Sequence, residues 1–211
     1  MVSNVLGARY AERLPLLEVA ADSLTREVRD ALAGVPHVDR ITFRVKEATS
    51  FLAKATAVDA GGPRYAEPFR EIEDQVAGRV LVFFRRDLDL IEGMLRKTFR
   101  TQEVRVKEPV SAKEFDYESR HQIFLFPEFL LPDAWTERED LPIAFEMQVR
   151  TLFMHAWAEP QHDLGYKGEG SLPRQAERLL ALAAASAWGA DHAIEEALEV
   201  ISHGASEKVD A

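Results

Sequence analysis

Within Ala144–Thr151 polar and apolar residues alternate from Phe145 to Arg150, where Phe145, Met147 and Val149 interleave with Glu146, Gln148 and Arg150. A period of two predicts a strand with one buried face and one solvated polar face. On that polar face a carboxylate, an amide and a guanidinium would stand in a row, about 6–7 Å between successive members. Residues 39–46 alternate in the same way, with Ile41, Phe43 and Val45 on one side and Thr42, Arg44 and Lys46 on the other. Residues 102–107 and 122–126 read as two more strands, and the mostly apolar run Ala77–Phe84 as a central strand buried on both faces. Apolar residues at helical spacing (Leu14, Leu17, Leu24, Val28, Leu32) predict helix over 3–34, with Pro15 starting a second helix or kinking the first and Gly34 and Pro36 ending it. Further helices are predicted over 48 to about 57, over 65–75, over 87–98 with Asp87 as N-cap, and from Leu152 onward. Pro160 should kink or restart that last helix. Pro173 opens a final Ala- and Leu-rich segment that Gly189 would divide into a pair. Gly61–Pro63 reads as a loop, and the proline-punctuated stretch 127–141 as a mobile flap or a contact between copies.

Strands that follow one another late in the chain predict an α+β fold with a mixed sheet of about five strands flanked by helices. The length of 211 residues fits a single domain, with a core at 40–167, N-terminal helices at 1–36 and C-terminal helices at 172–205. A net charge of −10 argues against a protein that coats nucleic acid, while leaving room for a local basic groove. The absence of cysteine removes thiol catalysis and thiolate-bound zinc and fits a cytoplasmic chain. The N-terminus carries charges among its apolar residues and reads as no export signal, and no apolar run is long enough for a membrane span.

The chemistry gathers around the strand at 144–151 and the segment after it. Ordinary surface polarity would explain three alternating polar residues. The continuation, Leu152-Phe-Met-His-Ala-Trp-Ala-Glu-Pro-Gln-His-Asp-Leu-Gly-Tyr-Lys167, adds His155, Glu159, His162 and Tyr166 along one side of a helix. The whole run resembles the signature of RelA/SpoT synthetase domains, E-x-Q-(I/V)-R-T followed by M-H-x-W-A-E, a histidine and Y-K, without a gap. Three other stretches carry the same resemblance. Arg44, Lys46, Ser50 and Lys54 match the ATP-binding pattern R-x-K-x-x-x-S-x-x-x-K, and Asp74 and Arg79 stand at the separation of D-x-x-G-x-R-(I/V). In that last motif Ala77 takes the family's glycine position and the glycine is displaced to Gly78. Phe115-Asp-Tyr-Glu-Ser-Arg-His121 is similar to the family's G-Y-x-S-x-H loop, with Asp116 in place of glycine and only Lys113 left of a basic approach.

The resemblance covers about residues 40–167 and implies a nucleotidyltransferase-like fold, with helical extensions outside it. It implies transfer of pyrophosphate from ATP to the 3′-hydroxyl of GDP or GTP, as in a stand-alone small alarmone synthetase. Asp74 and Glu146 would hold Mg²⁺, and Glu146 would take the hydroxyl proton. Arg44, Lys46, Ser50, Lys54 and Arg79 would bind ATP, the two arginines stacking on adenine as lysine could not. Lys113, Tyr117, His121, Gln148, Arg150 and His155 would bind the acceptor, with the Tyr117 ring on its base. Like charges crowded as Arg44, Lys46 and Lys54 are call for an anion between them. A homo-oligomer and the nature of its contacts stay open.

Two other chemistries read poorly. His155 and His162 would lie about 10 Å apart along a helix, too far to share one zinc ion. His162-Asp163 looks like the metal-binding dipeptide of phosphohydrolases, but no upstream histidine partner accompanies it. Two relatives of the leading function remain: a toxin that modifies tRNA 3′ ends or adenine nucleotides, and a degenerate domain that only binds nucleotide or a partner.

Overall fold

The computed structural model describes the backbone of residues 2–107, 119–166 and 172–206, and all their side chains but those at 2–3, 107, 119, 161–166 and 204–206. Two helices open the chain, α1 (Val2–Ala11) and α2 (Leu14–Ala31), with Pro15 in the first turn of α2. The strand β1 (Val38–Val45) and helix α3 (Ala48–Ala55) follow. The segment expected as a loop at Gly61–Pro63 pairs in part, as β2 (Val58–Asp59) with β3 (Gly62–Pro63). The single helix expected at 65–75 is shorter and split, into α4 (Pro68–Glu71) and a 3-10 turn (Glu73–Gln75). Then come β4 (Val76–Val82), α5 (Asp87–Thr98), β5 (Thr101–Lys107) and β6 (Ser119–Leu125). After α6 (Asp133–Thr136) the chain forms β7 (Ala144–Thr151), α7 (Leu152–Tyr166) and α8 (Arg174–Ser206).

The five long strands form one mixed sheet in the order β1-β4-β7-β6-β5, with β4 and β7 parallel and the other pairs antiparallel. Its apolar face closes on α2 and α5. Phe145, in the central strand β7, touches the rings of Phe43, Phe99, Phe124 and Phe126 at centroid distances of 5.2–6.1 Å. Gly78 is needed at the middle of this face. A Cβ there would lie 2.6 Å from both the Phe43 ring and the Met147 methyl, its neighbours on β1 and β7.

Several expectations are corrected. β4 is buried on both faces only from Val80, because Ala77 and Arg79 line the site. The polar residues of β7 are not solvated: Gln148 and Arg150 are buried, since α7 folds back over them. Asp87 does not cap α5; Arg86 holds that position and the Asp87 carboxylate bonds His37 Nδ1 at 3.0 Å. The final segment is one 33-residue helix with Gly189 inside it. A lone glycine costs a helix about 1 kcal/mol, which its alanine- and leucine-rich flanks outweigh. Pro160 likewise lies inside α7 and does not restart it. The stretch 127–141 is pinned and is no flap: Trp135 and Leu141 are buried, Trp135 packs on Phe126, and Arg13 and Arg70 donate to the carbonyls of Asp140 and Glu139.

Candidate active site

Sheet register brings the sequence motifs together. Thr42 pairs with Arg79 and Arg44 with Ala77 across β1 and β4, while Ala77 pairs with Glu146 and Arg79 with Gln148 across β4 and β7. His121 of β6 lies opposite Gln148. All of these side chains share one face of the sheet, which α7 covers over β4 and β7 while Thr42 and Arg44 on β1 stay exposed. Arg44 and Arg79 are diagonal neighbours there, a spacing of about 7–8 Å. The small Thr42 and Ala77 form the floor between them. Ala77 thus lies on the site face and Gly78 on the core face, so the displaced glycine belongs to packing.

Asp74 sits in the 3-10 turn just before β4, held between two lysines. Lys46 Nζ donates to Oδ2 at 2.8 Å and Lys54 Nζ to Oδ1 at 3.0 Å. Burial by itself would raise the Asp74 carboxyl, but the charges and hydrogen bonds of the two lysines outweigh it and hold it below the usual carboxylate range. Lys54 is raised in turn: burial opposes its charge, and Asp74 more than restores it. Lys46 is fixed from behind, because the Tyr10 hydroxyl donates to its carbonyl at 2.7 Å and the Tyr10 ring stacks on Phe51 at 4.1 Å. The sequence predicted helix here and assigned it no part in the site. Ser50 lies one turn before Lys54 on α3, on the same side.

Glu146 is bound by His121 Nδ1 at 3.0 Å and by the Gln148 amide. Burial and the neighbouring Asp74 charge work to raise its carboxyl, yet the bonds from His121 and Gln148 prevail and lower it. His121 and Gln148 were both expected on the acceptor, and here they hold the carboxylate. Around Glu159 of α7 a third group forms. Its Oε1 lies 2.8 Å from Arg79, 3.7 Å from His155 and 3.9 Å from Arg150. Burial and then Arg79 push the Arg150 guanidinium down to about 9, which leaves it charged at neutral pH. His155 is lowered by burial and by Arg79, against the pull of Glu159. Sequence spacing placed Glu159 beside His155 within the family signature but gave it no role.

Arg79 Nε, His121 Nε2 and Gln148 Oε1 are buried on this face without a hydrogen-bond partner. Such atoms cost free energy until a polar ligand meets them. For a metal, Asp74 and Glu146 offer ionised oxygen donors alone, the set that Mg²⁺ takes from a protein when substrate phosphates fill the rest. Lys113 and Tyr117 lie outside the described residues, as do the side chains of His162 and Tyr166. Of the basic residues at and on α5, Arg86 is bound to Glu195 and Arg96 to Glu92.

A mixed sheet with cations and paired carboxylates on its covered face defines a protein built to handle a polyphosphate. Residues 43–171 match the family model described as the region found in RelA / SpoT proteins, and the chain belongs to that family. It is 31% identical over 164 residues to the GTP pyrophosphokinase YjbM of Bacillus subtilis (strain 168), covering 75% of this chain and 71% of that one. The fold is that of small alarmone synthetase 1 from Bacillus subtilis, at a TM-score of 0.73, 24% identity and coverage of 92% and 98% of the two chains. The same synthetase bound to its product pppGpp matches at a TM-score of 0.71, again at 24% identity over 92% and 98%. Among the described residues no helix is long and apolar enough to cross a membrane.

Proposed function

We propose that this chain transfers pyrophosphate from ATP to the 3′-hydroxyl of GDP or GTP, releasing AMP and forming (p)ppGpp. The observation that carries the reading is the convergence of Glu146, Arg44, Arg79 and Arg150 on one sheet face with Asp74, Lys46 and Lys54 beside it, in a RelA/SpoT-family chain. It gains from a relative called a GTP pyrophosphokinase and from a synthetase of this fold solved with pppGpp.

Arg44 and Arg79 are spaced to take a purine ring between them, since two van der Waals contacts of about 3.5–4.0 Å fill the diagonal. Lys46, Lys54 and Ser50 then meet the triphosphate. The acceptor's 3′-oxygen bonds to the β-phosphorus, the bond from that phosphorus to the oxygen bridging to the α-phosphate breaks, and AMP leaves with the oxygen. Glu146, ionised and held by His121 and Gln148, takes the hydroxyl proton. Arg150 and His155 face the acceptor phosphates, with Lys113 assigned to the acceptor and Tyr117 to its base. Mg²⁺ held by Asp74 and Glu146 would neutralise charge on the transferred group. The rest of the rate comes from positioning and electrostatics, as the protein forms no covalent intermediate.

The test is incubation with γ-labelled ATP and Mg²⁺ against GDP, GTP, adenine nucleotides and tRNA separately. Label is expected on GDP or GTP, with AMP released in equal amount. Label on tRNA or adenine nucleotide alone would replace the acceptor assignment, and no transfer to any of them would remove the enzymatic reading. Tyr117→Ala is expected to weaken the acceptor by about 5- to 150-fold, the worth of one stacked base, with ATP affinity unchanged. An unchanged acceptor affinity would refute the stacking role.

A further inference from the structure

We infer that Glu159 is the shared counter-ion of the two halves of the site, and that it makes the binding of the two nucleotides interdependent. The inference rests on the donor and acceptor sides assigned above. One oxygen of Glu159 lies within 4 Å of Arg79, on the donor side, and of Arg150, on the acceptor side. The two arginines stand diagonally on neighbouring parallel strands, since Arg79 pairs with Gln148 and Leu81 with Arg150. His155, one turn before Glu159 on α7, adds contacts of 3.7 Å to that oxygen and 3.3 Å to Arg79. Arg40 and Arg44 face the same group from β1, and both add to its positive field.

Two guanidiniums this close repel, and the carboxylate between them offsets the repulsion. Unlike the arginines, Glu159 is 49% exposed, so packing does not fix its side chain and it can move toward either partner. An acceptor phosphate arriving at Arg150 repels the carboxylate and takes over the neutralisation of that arginine. Glu159 is then left to Arg79 alone and holds its guanidinium in the plane on which the donor's base stacks. By linkage, a donor that favours the Arg79-bound carboxylate favours the acceptor by the same factor. Glu159 is in this account a positioning residue, acting through Arg79 and Arg150.

Calorimetric titration of the full chain with α,β-methylene ATP and Mg²⁺, with and without saturating GDP, measures the coupling directly. The bridging carbon blocks transfer, so only binding is read. In the wild-type chain GDP is expected to tighten the ATP analogue by about fivefold, the low end of ordinary coupling between sites. Glu159→Gln should bring that ratio to one. Glu159→Asp keeps the charge and should retain part of the coupling, whereas a steric role would lose it equally in both variants. A wild-type ratio of one, an unchanged ratio in Glu159→Gln, or equal loss in both variants overturns the inference while the proposed function stands. Failure of the wild-type chain to bind either nucleotide overturns both.

Discussion

Asp74→Asn separates stability from catalysis at one atom pair. The carboxylate accepts one bond from each of two lysines, at 2.8 and 3.0 Å. An amide offers one acceptor oxygen, and its NH₂ turns a donor toward the second ammonium. One charge-assisted bond is lost outright and the other loses its charge. Bonds to charged groups are worth about 1.5–3 kcal/mol each, which puts a dry site near 3–5 kcal/mol. Here Asp74 is 21% exposed and Lys54 32%, so water screens the pair and the longer side chain can swing out. The expected cost in metal-free urea unfolding is therefore about 1–2 kcal/mol. Catalysis should suffer more. Under the proposed mechanism the variant loses a charge that stabilises the transferred group, and turnover of labelled ATP with Mg²⁺ and GDP should fall by about 10² or more. Without metal, ATP should bind at least as well as to wild type, because Lys46 and Lys54 are released to its phosphates. Turnover within tenfold of wild type would refute the placement of the site, whatever the urea midpoint does.

Two further outcomes follow from the same coordinates. Asp74 and Glu146 are both held below their ordinary values of 3.8 and 4.5, so the folded chain binds fewer protons than the unfolded one as acid is added. Their stabilisation is present in full above those ordinary values and is lost as pH falls through the folded ones; the urea midpoint of the metal-free chain should drop steeply below about pH 4, and less steeply in Asp74→Asn. An identical acid limb in the two proteins would contradict this. Gly78→Ala should cost about 1–3 kcal/mol by overpacking against Phe43 and Met147. The double variant Ala77→Gly with Gly78→Ala, which restores the family's residue order, should be no more stable than Gly78→Ala alone, and recovery of stability there would refute the packing argument.

The sheet was readable because its signals are local. Alternation in 144–151 and 39–46 states which side chains share a face, and β7 and β1 follow it. Alternation does not state what covers a face. The polar row of β7 was expected in solvent and is buried, because α7 folds back on β4 and β7 through Arg79, Glu159 and His155, contacts spanning about eighty residues of chain. The support of Lys46 by Tyr10 was illegible for the same reason: nothing near Tyr10 in the chain marks its hydroxyl as a donor to a carbonyl 36 residues on. The glycine expectations failed differently. Gly189 looked like a break because glycine is a poor helix former, but flanking propensity decides over a single residue. The connection at 127–141 looked mobile from its length, while its aromatic Trp135 was the informative residue, finding Phe126 in the core.

Charge distribution bears on the acceptor more than any single residue does. The chain carries a net −10, yet Arg44, Lys46, Lys54, Arg79 and Arg150 concentrate on or beside one covered face. A free nucleotide is small enough to meet that local cluster alone. A tRNA would have to lay many phosphates along the surface, and its affinity would come from counterions released by each one neutralised. At the N-cap of α5 and in its last turn, Arg86 and Arg96 are already bound to Glu195 and Glu92. A long polyanion would have to displace those carboxylates and then meet the remaining negative surface. Under the proposed function, cations gathered within the width of a nucleotide in a chain of net charge −10 favour GDP or GTP as the acceptor.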